Sequence, residues 1–335
     1  MEAERKKKPQ PLQIILDCLV KKIHHDKGKA TTLETNKGDF FLGSAKLVLA
    51  MGTLPPTTLV LNSFSKSSFP RLSQVGERFT SHFISSIVGR VPVGLFPDNK
   101  RLGDVELGAV YIAGVNKESN HQFHVQLTAV RDKTSGESIN DTMRYLPDVH
   151  GAPSLEQLKT SKDHIIFVCA CLGQQDHRNS LNWYRLNDGE DITSNITLQA
   201  VANATDNALW DTMDESTYQM LENILAPKGG LEYWHFDGDS SGGSWKANRP
   251  ATKQIRIPGL VHEASTMWIG NDKDKMAPVG LDYRLHGVDN VYITGASLWP
   301  TGASWNPTGV MVAMAIHLAD QICKAGDPLT DSANL

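Results

Sequence analysis

Ser304-Trp305-Asn306-Pro307-Thr308-Gly309-Val310-Met311 joins two kinds of sequence. Before it, Asn290-Val291-Tyr292-Ile293-Thr294 is rich in β-branched and aromatic residues and reads as a strand, and Gly295 to Ser304 is a turn of small residues and proline. After it, apolar residues recur at helical spacing to about Cys323. Asparagine is a preferred N-cap and proline a preferred first helical residue, so Asn306-Pro307 predicts the helix start. The first N–H groups of a helix lack intrahelical partners and carry its positive dipole end, so the turn beside them favours an anionic group.

Upstream, Lys46-Leu47-Val48-Leu49-Ala50-Met51-Gly52 is a continuous apolar run ending in Ala-x-Gly, the pattern of a buried parallel strand, and Thr57 to Asn62 opens a helix beyond it. Leu12 to Leu16, Cys18 to Ile23, Ala30 to Glu34 and Phe40 to Leu42, with a turn at Asp26-Lys27-Gly28, predict a small antiparallel meander. Gly108 to Gly114, His121 to Arg131 and His164 to Leu172 predict three strands of an antiparallel sheet, one face of which is more polar. Ala204 to Leu225 carries a helical stripe at Leu209, Met213, Met220, Leu221, Ile224 and Leu225, and Asp237 to Ser244 reads as a flexible loop.

The chain has 335 residues, 40% of them hydrophobic, enough for a large core in one or two domains. A net charge of −4, from 33 basic and 37 acidic residues, argues against nucleic acid as a partner, and Arg5-Lys6-Lys7-Lys8 is too short to alter that. No apolar run approaches the ~18 residues of a membrane span, and no signal peptide is visible, so no membrane association is expected, and the location stays open with the cytoplasm favoured. Four cysteines are too few and scattered for a disulfide framework. Cys169-Ala170-Cys171 reads as two core residues on a buried strand, because no second Cys or His pair stands at zinc-site spacing; no metal is expected. Asn140-Asp141-Thr142, Asn195-Ile196-Thr197 and Asn203-Ala204-Thr205 are glycosylation sequons, relevant only to a secreted protein.

The second candidate site lies 44 residues before Asn306, in Val261-His262-Glu263-Ala264-Ser265-Thr266-Met267-Trp268-Ile269-Gly270. His262-x-x-Ser265-Thr266-x-x-Ile269-Gly270, with Gly295-Ala296-Ser297-Leu298-Trp299-Pro300 and Ser304-Trp305-Asn306-Pro307-Thr308, resembles the two C-terminal signatures of the glucose-methanol-choline (GMC) oxidoreductases. In that family the first reads approximately His-x-x-Gly-Thr-x-x-Met-Gly, and the second Asp-Ala-Ser-x-Pro followed by Asn-Pro-Thr or a His variant. Ser265, Ile269 and Gly295 depart from the pattern; His262 and Asn306 match it. Leu47 to Leu54 with Leu59 to Ser63 resembles the family's last flavin-domain strand and helix, and Val75-Gly76-Glu77-Arg78-Phe79-Thr80-Ser81-His82 its Val-Gly-x-Asn-x-x-x-His stretch, with Arg78 for the asparagine.

The resemblance implies an α+β fold with an α/β remnant: residues 1–100 as part of an FAD-binding domain, 101–255 as a substrate domain with an antiparallel sheet, 256–325 as a catalytic segment returning to the first, and 326–335 as a tail. It implies oxidation of a CH–OH group, with His262 as base, Asn306 anchoring the substrate oxygen, and Gly295, Ala296, Asn306, Pro307 and Thr308 against FAD. An imidazole suits the first role, since it accepts a proton near neutral pH, and an amide the second, since it orients an oxygen without competing for the proton. The partner would be a small-molecule alcohol, in a pocket lined by residues between about Gly103 and Asp239, with Trp268, Trp299 and Trp305 making it apolar and aromatic.

A Gly-x-Gly-x-x-Gly fingerprint for the ADP half of FAD does not occur in this sequence. The expectation is therefore a chain holding the C-terminal portion of such an enzyme, incomplete by itself. The alternatives are a flavin-free binding or regulatory module, and one half of a split enzyme whose partner chain supplies the flavin-binding half.

Overall fold

Lys27 and Gly28 both have positive φ, 47° and 85°, and between them turn Val20–Asp26 (β1) back onto Lys29–Thr35 (β2). Two left-handed residues match the right-handed twist of the strands they join. Gly38–Phe41 (β3) completes the expected antiparallel meander. The computed structural model describes residues 12–134, 144–146, 151–238 and 242–324; Arg5 to Lys8, the sequon at Asn140 and the 326–335 tail lie outside them. Leu12 to Leu16, expected as strand, lies outside every strand, because no neighbouring edge among the described residues pairs with it.

Leu47–Leu49 (β4) is followed by helix α1, Leu54–Ser63, and pairs in parallel with a strand from the far end of the chain, Val291–Ile293. That pairing begins at Leu47 N–H to Asn290 C=O, 2.8 Å, and ends at Thr294 N–H to Leu49 C=O, 3.1 Å. β4 was expected to be buried on both faces, yet Val48 is exposed. With one neighbouring strand among the described residues, a two-stranded ribbon leaves one side open.

The largest sheet has seven strands: Thr80–Pro92 (β5), Val105–Val115 (β6), Gln122–Asp132 (β7), His164–Gln174 (β8), Glu232–Phe236 (β11), Gly243–Lys246 (β12) and Arg256–Ala264 (β13). A separate antiparallel hairpin, Trp183–Leu186 (β9) with Ile196–Gln199 (β10), lies between β8 and β11 in the chain. β5 is the spine. It pairs with β8 along its whole length, while its other edge is shared by β13 near its start and β11 near its end. β7 and β6 extend the sheet beyond β8, all antiparallel. The Asp237-to-Ser244 loop is shorter than expected, since β12 begins at Gly243; residues 239–241 lie outside the description.

Side-chain alternation divides this sheet by chemistry. One face carries Phe83, Ile87, Val125, Leu127, Cys169 and Cys171, packed with Leu209, Met213 and Tyr218 of helix α2, Ala204–Met220. The α2 start is held by a reciprocal capping box between Asn203 and Asp206, of a kind whose loss costs about 1 kcal/mol. Both cysteines are buried free thiols, as expected. The stripe continues through Leu221 and Leu225, but Leu221–Leu225 forms a π turn and Ile224 lies exposed. The opposite face presents His82, His124, Gln126 and Thr128, all buried.

Beyond β13, Ile269–Gly270 (β14) pairs in parallel with Val279–Gly280 (β15), Val291–Ile293 is β16, and Thr308–Lys324 forms helix α3. One apolar cluster gathers Ile23, Leu49, Leu59, Val60 and Leu72 from the N-terminal part with Met267, Val279, Leu285, Ile293 and Leu298 from the C-terminal part. Segments from both ends of the described residues thus share one core. Among the described residues no helix is long and apolar enough to cross a membrane.

Gly76 stitches that core to β9. Its N–H donates to Thr266 C=O at 2.8 Å and its carbonyl accepts from Tyr184 N–H at 2.7 Å. A Cβ there would stand 1.9 Å from Tyr184 O on a backbone with φ of 77°. Gly76→Ala should lower the unfolding free energy by about 2–4 kcal/mol in urea titrations, from overpacking and left-handed strain together. Gly38→Ala, with φ of 98° and nothing within 4 Å, should lose only about 1–2 kcal/mol.

Candidate active site

The segment carrying His262 is tied to the turn carrying Asn306 by backbone hydrogen bonds: Ser265 N–H to Ala296 C=O, 3.1 Å, and Met267 N–H to Ser297 C=O, 2.9 Å. Side chains hold it from the other direction. Thr53 Oγ1 donates to Glu263 C=O at 2.7 Å, Thr57 and Thr266 hydroxyls meet at 2.8 Å, and Thr80 and Ser265 hydroxyls meet at 2.8 Å. Ser265 has a φ of 71°, a conformation that glycine adopts without penalty, so the Thr80 contact helps offset the strain of a serine there. Gly295 has a φ of 106°, and a Cβ on it would approach Gly52 O to 2.9 Å. An aspartate would be strained there. Gly295 can therefore offer a ligand only its backbone.

His262, half-buried at the end of β13, meets the fully buried His82 of β5 with Nδ1 to Nδ1 at 3.0 Å. His82 Nε2 lies 3.1 Å from Gly302 C=O. A carbonyl only accepts, so His82 carries its proton on Nε2, and its Nδ1 must be the acceptor in the histidine pair. His262 Nδ1–H is then the donor. The basic nitrogen of neutral His262 is left as Nε2. Burial, opposed by the Gly302 carbonyl and reinforced by the neighbouring His262 and His124, lowers the His82 pKa to about 4, so this support stays uncharged at neutral pH.

Asn306 is half-buried, and its Oδ1 accepts from Gln126 Nε2 at 3.2 Å. The same Gln126 amide lies 3.2 Å from His124 Nε2. With its oxygen engaged on β7, Asn306 presents its Nδ2–H groups as the donor end. The expected N-cap role is not what the side chain does: helix α3 starts at Thr308, and the first helical bond runs from Met311 N–H to Pro307 C=O, 3.0 Å. Asn306 sits one place too early, and the sheet takes its oxygen.

Trp305, 43% exposed, stacks on His124 with ring centroids 5.0 Å apart and planes 2° apart, and Tyr111 stacks on it at 6.0 Å. Trp299 is buried, and Trp268 lies beneath the Arg78 guanidinium, 3.8 Å from its ring centroid. Of the three tryptophans expected around a cavity, only Trp305 adjoins Asn306. A cleft of 490 Å³ bounded by Asn271, Asp282, Arg284 and His286 includes neither His262 nor Asn306. His124 and Gln126 are additions that motif reading did not provide, whereas His82 closes the Val75 to His82 stretch, for which the sequence suggested no role at the site. The alternation in Phe123-His124-Val125-Gln126-Leu127-Thr128 was the signal, since it puts an imidazole, an amide and a hydroxyl on one face.

The family model described as GMC oxidoreductase, C-terminal, matches residues 186–315, which contain both His262 and Asn306. No curated protein sequence matches the chain. Among solved structures, pyridoxine 4-oxidase from Mesorbium loti is similar in fold, with a TM-score of 0.54, 15% identity, and coverage of 91% of this chain and 57% of its own. An FAD-dependent oxidoreductase from Chaetomium thermophilum aligns with a TM-score of 0.51 and 12% identity over 93% of this chain and 61% of its own. The chain therefore spans about three-fifths of the length of these two proteins, and the likeness is one of fold.

The FAD implied by the family can be tested against the residues present. At the ring end they fit. Thr308 and Gly309 are exposed at the positive end of α3, a Cβ on Gly52 or Gly309 would meet nothing within 4 Å, and Gln126 Oε1 and Ser304 Oγ are buried without a hydrogen-bond partner beside Asn306. Such orphaned polar atoms cost about 1–3 kcal/mol each unless a bound molecule or water satisfies them. Ala296 and Pro307 are buried, with carbonyls engaged by Ser265 and Met311, and serve as framework there. No group of residues here is assigned to the ADP end.

The His82 shift has a measurable sign. Because the folded protein holds His82 neutral down to about pH 4 while the unfolded chain protonates near 6.5, the unfolded state binds more protons between those values. Stability from this residue is complete above about pH 6.5 and is lost as pH falls toward 4, by roughly 3 kcal/mol. Urea titrations across that window should show the loss in the native protein and a flatter acid limb in His82→Gln.

Proposed function

We propose that this chain forms the substrate-handling part of an FAD-dependent oxidoreductase that oxidises a CH–OH group to a carbonyl. The observation that carries the reading is the His262–His82–Gly302 relay, which leaves His262 Nε2 as a proton acceptor in the segment that the family model matches. His262 Nε2 takes the hydroxyl proton of the alcohol. Asn306 Nδ2–H donates to the same oxygen as negative charge gathers on it, and the Gln126 contact keeps the amide from rotating. FAD, when bound, supplies the acceptor for the hydride leaving the alcohol carbon. Thr308 and the free N–H groups of the α3 start would hold the ring end, with the backbone at Gly295 alongside. Trp305 stacked on His124 supports a substrate with an apolar or aromatic flank.

A second reading, in which another chain supplies the flavin-holding half, is favoured by the outer face of α3. Val312 and Ile316, one turn apart, are exposed on it, and Val48 of β4 is exposed as well. Apolar groups that repeat along one helix are a natural seat for a further layer of protein.

The test is the absorbance spectrum of the chain mixed with FAD, alone and with a panel of primary and secondary alcohols. Flavin bands that bleach on adding an alcohol support the first reading. In that case His262→Gln should slow bleaching by about 10²-fold or more, and Asn306→Ala by about 10²-fold. Bleaching at the native rate in His262→Gln removes the base assignment. A chain that stays colourless with FAD rules out unaided catalysis and leaves the two-chain reading or a binding module.

A further inference from the structure

Three side chains that the proposed chemistry does not use converge at one end of the large sheet. His121 stands immediately before β7, and Asp176 and His177 follow β8, so the antiparallel pairing of β7 with β8 brings them together. One ligand atom from each lies within 4.8 Å of the others. His121 and Asp176 are only 4% and 6% exposed, whereas His177 is half-buried.

The distances are those of ligands more than of a hydrogen bond. His121 Nε2 is 3.6 Å from Asp176 Oδ1, beyond hydrogen-bond range. A tetrahedral ion with bonds of about 2.0–2.1 Å holds its ligand atoms about 3.4 Å apart, so that pair needs almost no movement. Nδ1 of His121 and Nδ1 of His177 are both buried without a hydrogen-bond partner. A buried imidazole nitrogen without a partner is costly as packing, and coordination can satisfy the one on His177; at His121 the nitrogen nearest the carboxylate is Nε2.

The carboxylate is already oriented. Asp176 Oδ1 accepts from Arg178 N–H at 3.0 Å, and Oδ2 from Asn203 Nδ2 at 3.1 Å. Asn203 is the cap of α2, and Asp206 of the same capping box accepts from Asp176 N–H at 2.7 Å. Such an outer ring is what fixes ligands in metal sites. The charges facing the cluster are Asp176 and Asp206 against Arg78 and Arg178. That balance gives little general attraction for hard cations, and two nitrogen donors select a borderline transition metal over calcium or magnesium.

We propose that His121, Asp176 and His177 bind a divalent transition-metal ion of the zinc type, with solvent in the fourth position on the His177 side. Bound there, the ion clips the adjoining ends of β7 and β8 to the start of α2. The site stands independently of the flavin chemistry proposed above. Adjacent Asp176 and His177 with His121 55 residues earlier form no zinc-motif spacing, which is why a sequence reading expects no metal.

The full chain, stripped with a chelator, should bind about one equivalent of Zn²⁺ by calorimetry, and Co²⁺ should give the visible bands of a low-symmetry four-coordinate site. Zn²⁺ should also raise the thermal midpoint, since it binds only the folded form. His177→Ala, at a half-exposed position that leaves the core intact, and His121→Gln should each weaken binding more than about tenfold and abolish the cobalt bands. His24→Gln, at an exposed histidine paired with Glu34, should change neither. No saturable binding up to about a hundred micromolar Zn²⁺, or binding that survives unweakened in His177→Ala, overturns the proposal.

Discussion

The hydrogen bond between buried His82 Nε2 and the Gly302 carbonyl governs how the candidate site is built. It crosses from the spine of the large sheet to the turn before α3, so it positions that turn against β5. It also sets the His82 tautomer, and through the shared Nδ1 contact it sets that of His262. A single accepting carbonyl thereby decides which nitrogen of the half-buried His262 is basic. Burial keeps the supporting ring neutral, because charging it between two other imidazoles in a desolvated position is unfavourable.

The same logic extends across the sheet. A polar face made of His82, His124, Gln126 and Thr128 would be a liability in an ordinary core, where each unsatisfied group is costly. Here His82, His124 and the Gln126 amide nitrogen are spent on one another and on the 302–306 turn, while Gln126 Oε1 stays without a partner beside Asn306. The apolar face opposite, held by α2, supplies the rigidity that lets the polar one be exacting about geometry. A site on sheet strands, backed by a helix, is held more closely than one on loops.

The departures from the family pattern have local reasons. Gly295 stands where backbone approaches backbone with φ of 106°, so the acidic residue of the pattern could not be accommodated in this geometry. Ser265 replaces a glycine at positive φ and recovers some of the cost through Thr80. Arg78 replaces an asparagine, and its guanidinium donates to Pro300 C=O at 3.0 Å while lying over Trp268. It thus bridges the two signature segments from outside.

Much was legible in the linear order of residues: the meander, the strands β6 to β8, helix α2 and the strand–turn–helix at the C-terminal end, because periodicity and turn residues are local properties. Leu12 to Leu16 and the burial of β4 were misjudged, since whether an apolar run has a neighbour is decided elsewhere in the chain. The partners of the site residues were equally out of reach. His82 is 180 residues from His262, and Gln126 is 180 from Asn306, so only the return of the C-terminal segment onto β5 and β7 creates those pairs. Sequence by itself determined which residue types were available and the local elements that carry them. Tertiary structure decided which nitrogen is basic, which amide end faces outward and which histidines meet, because hydrogen-bond partners are set by distance in space and not by distance along the chain.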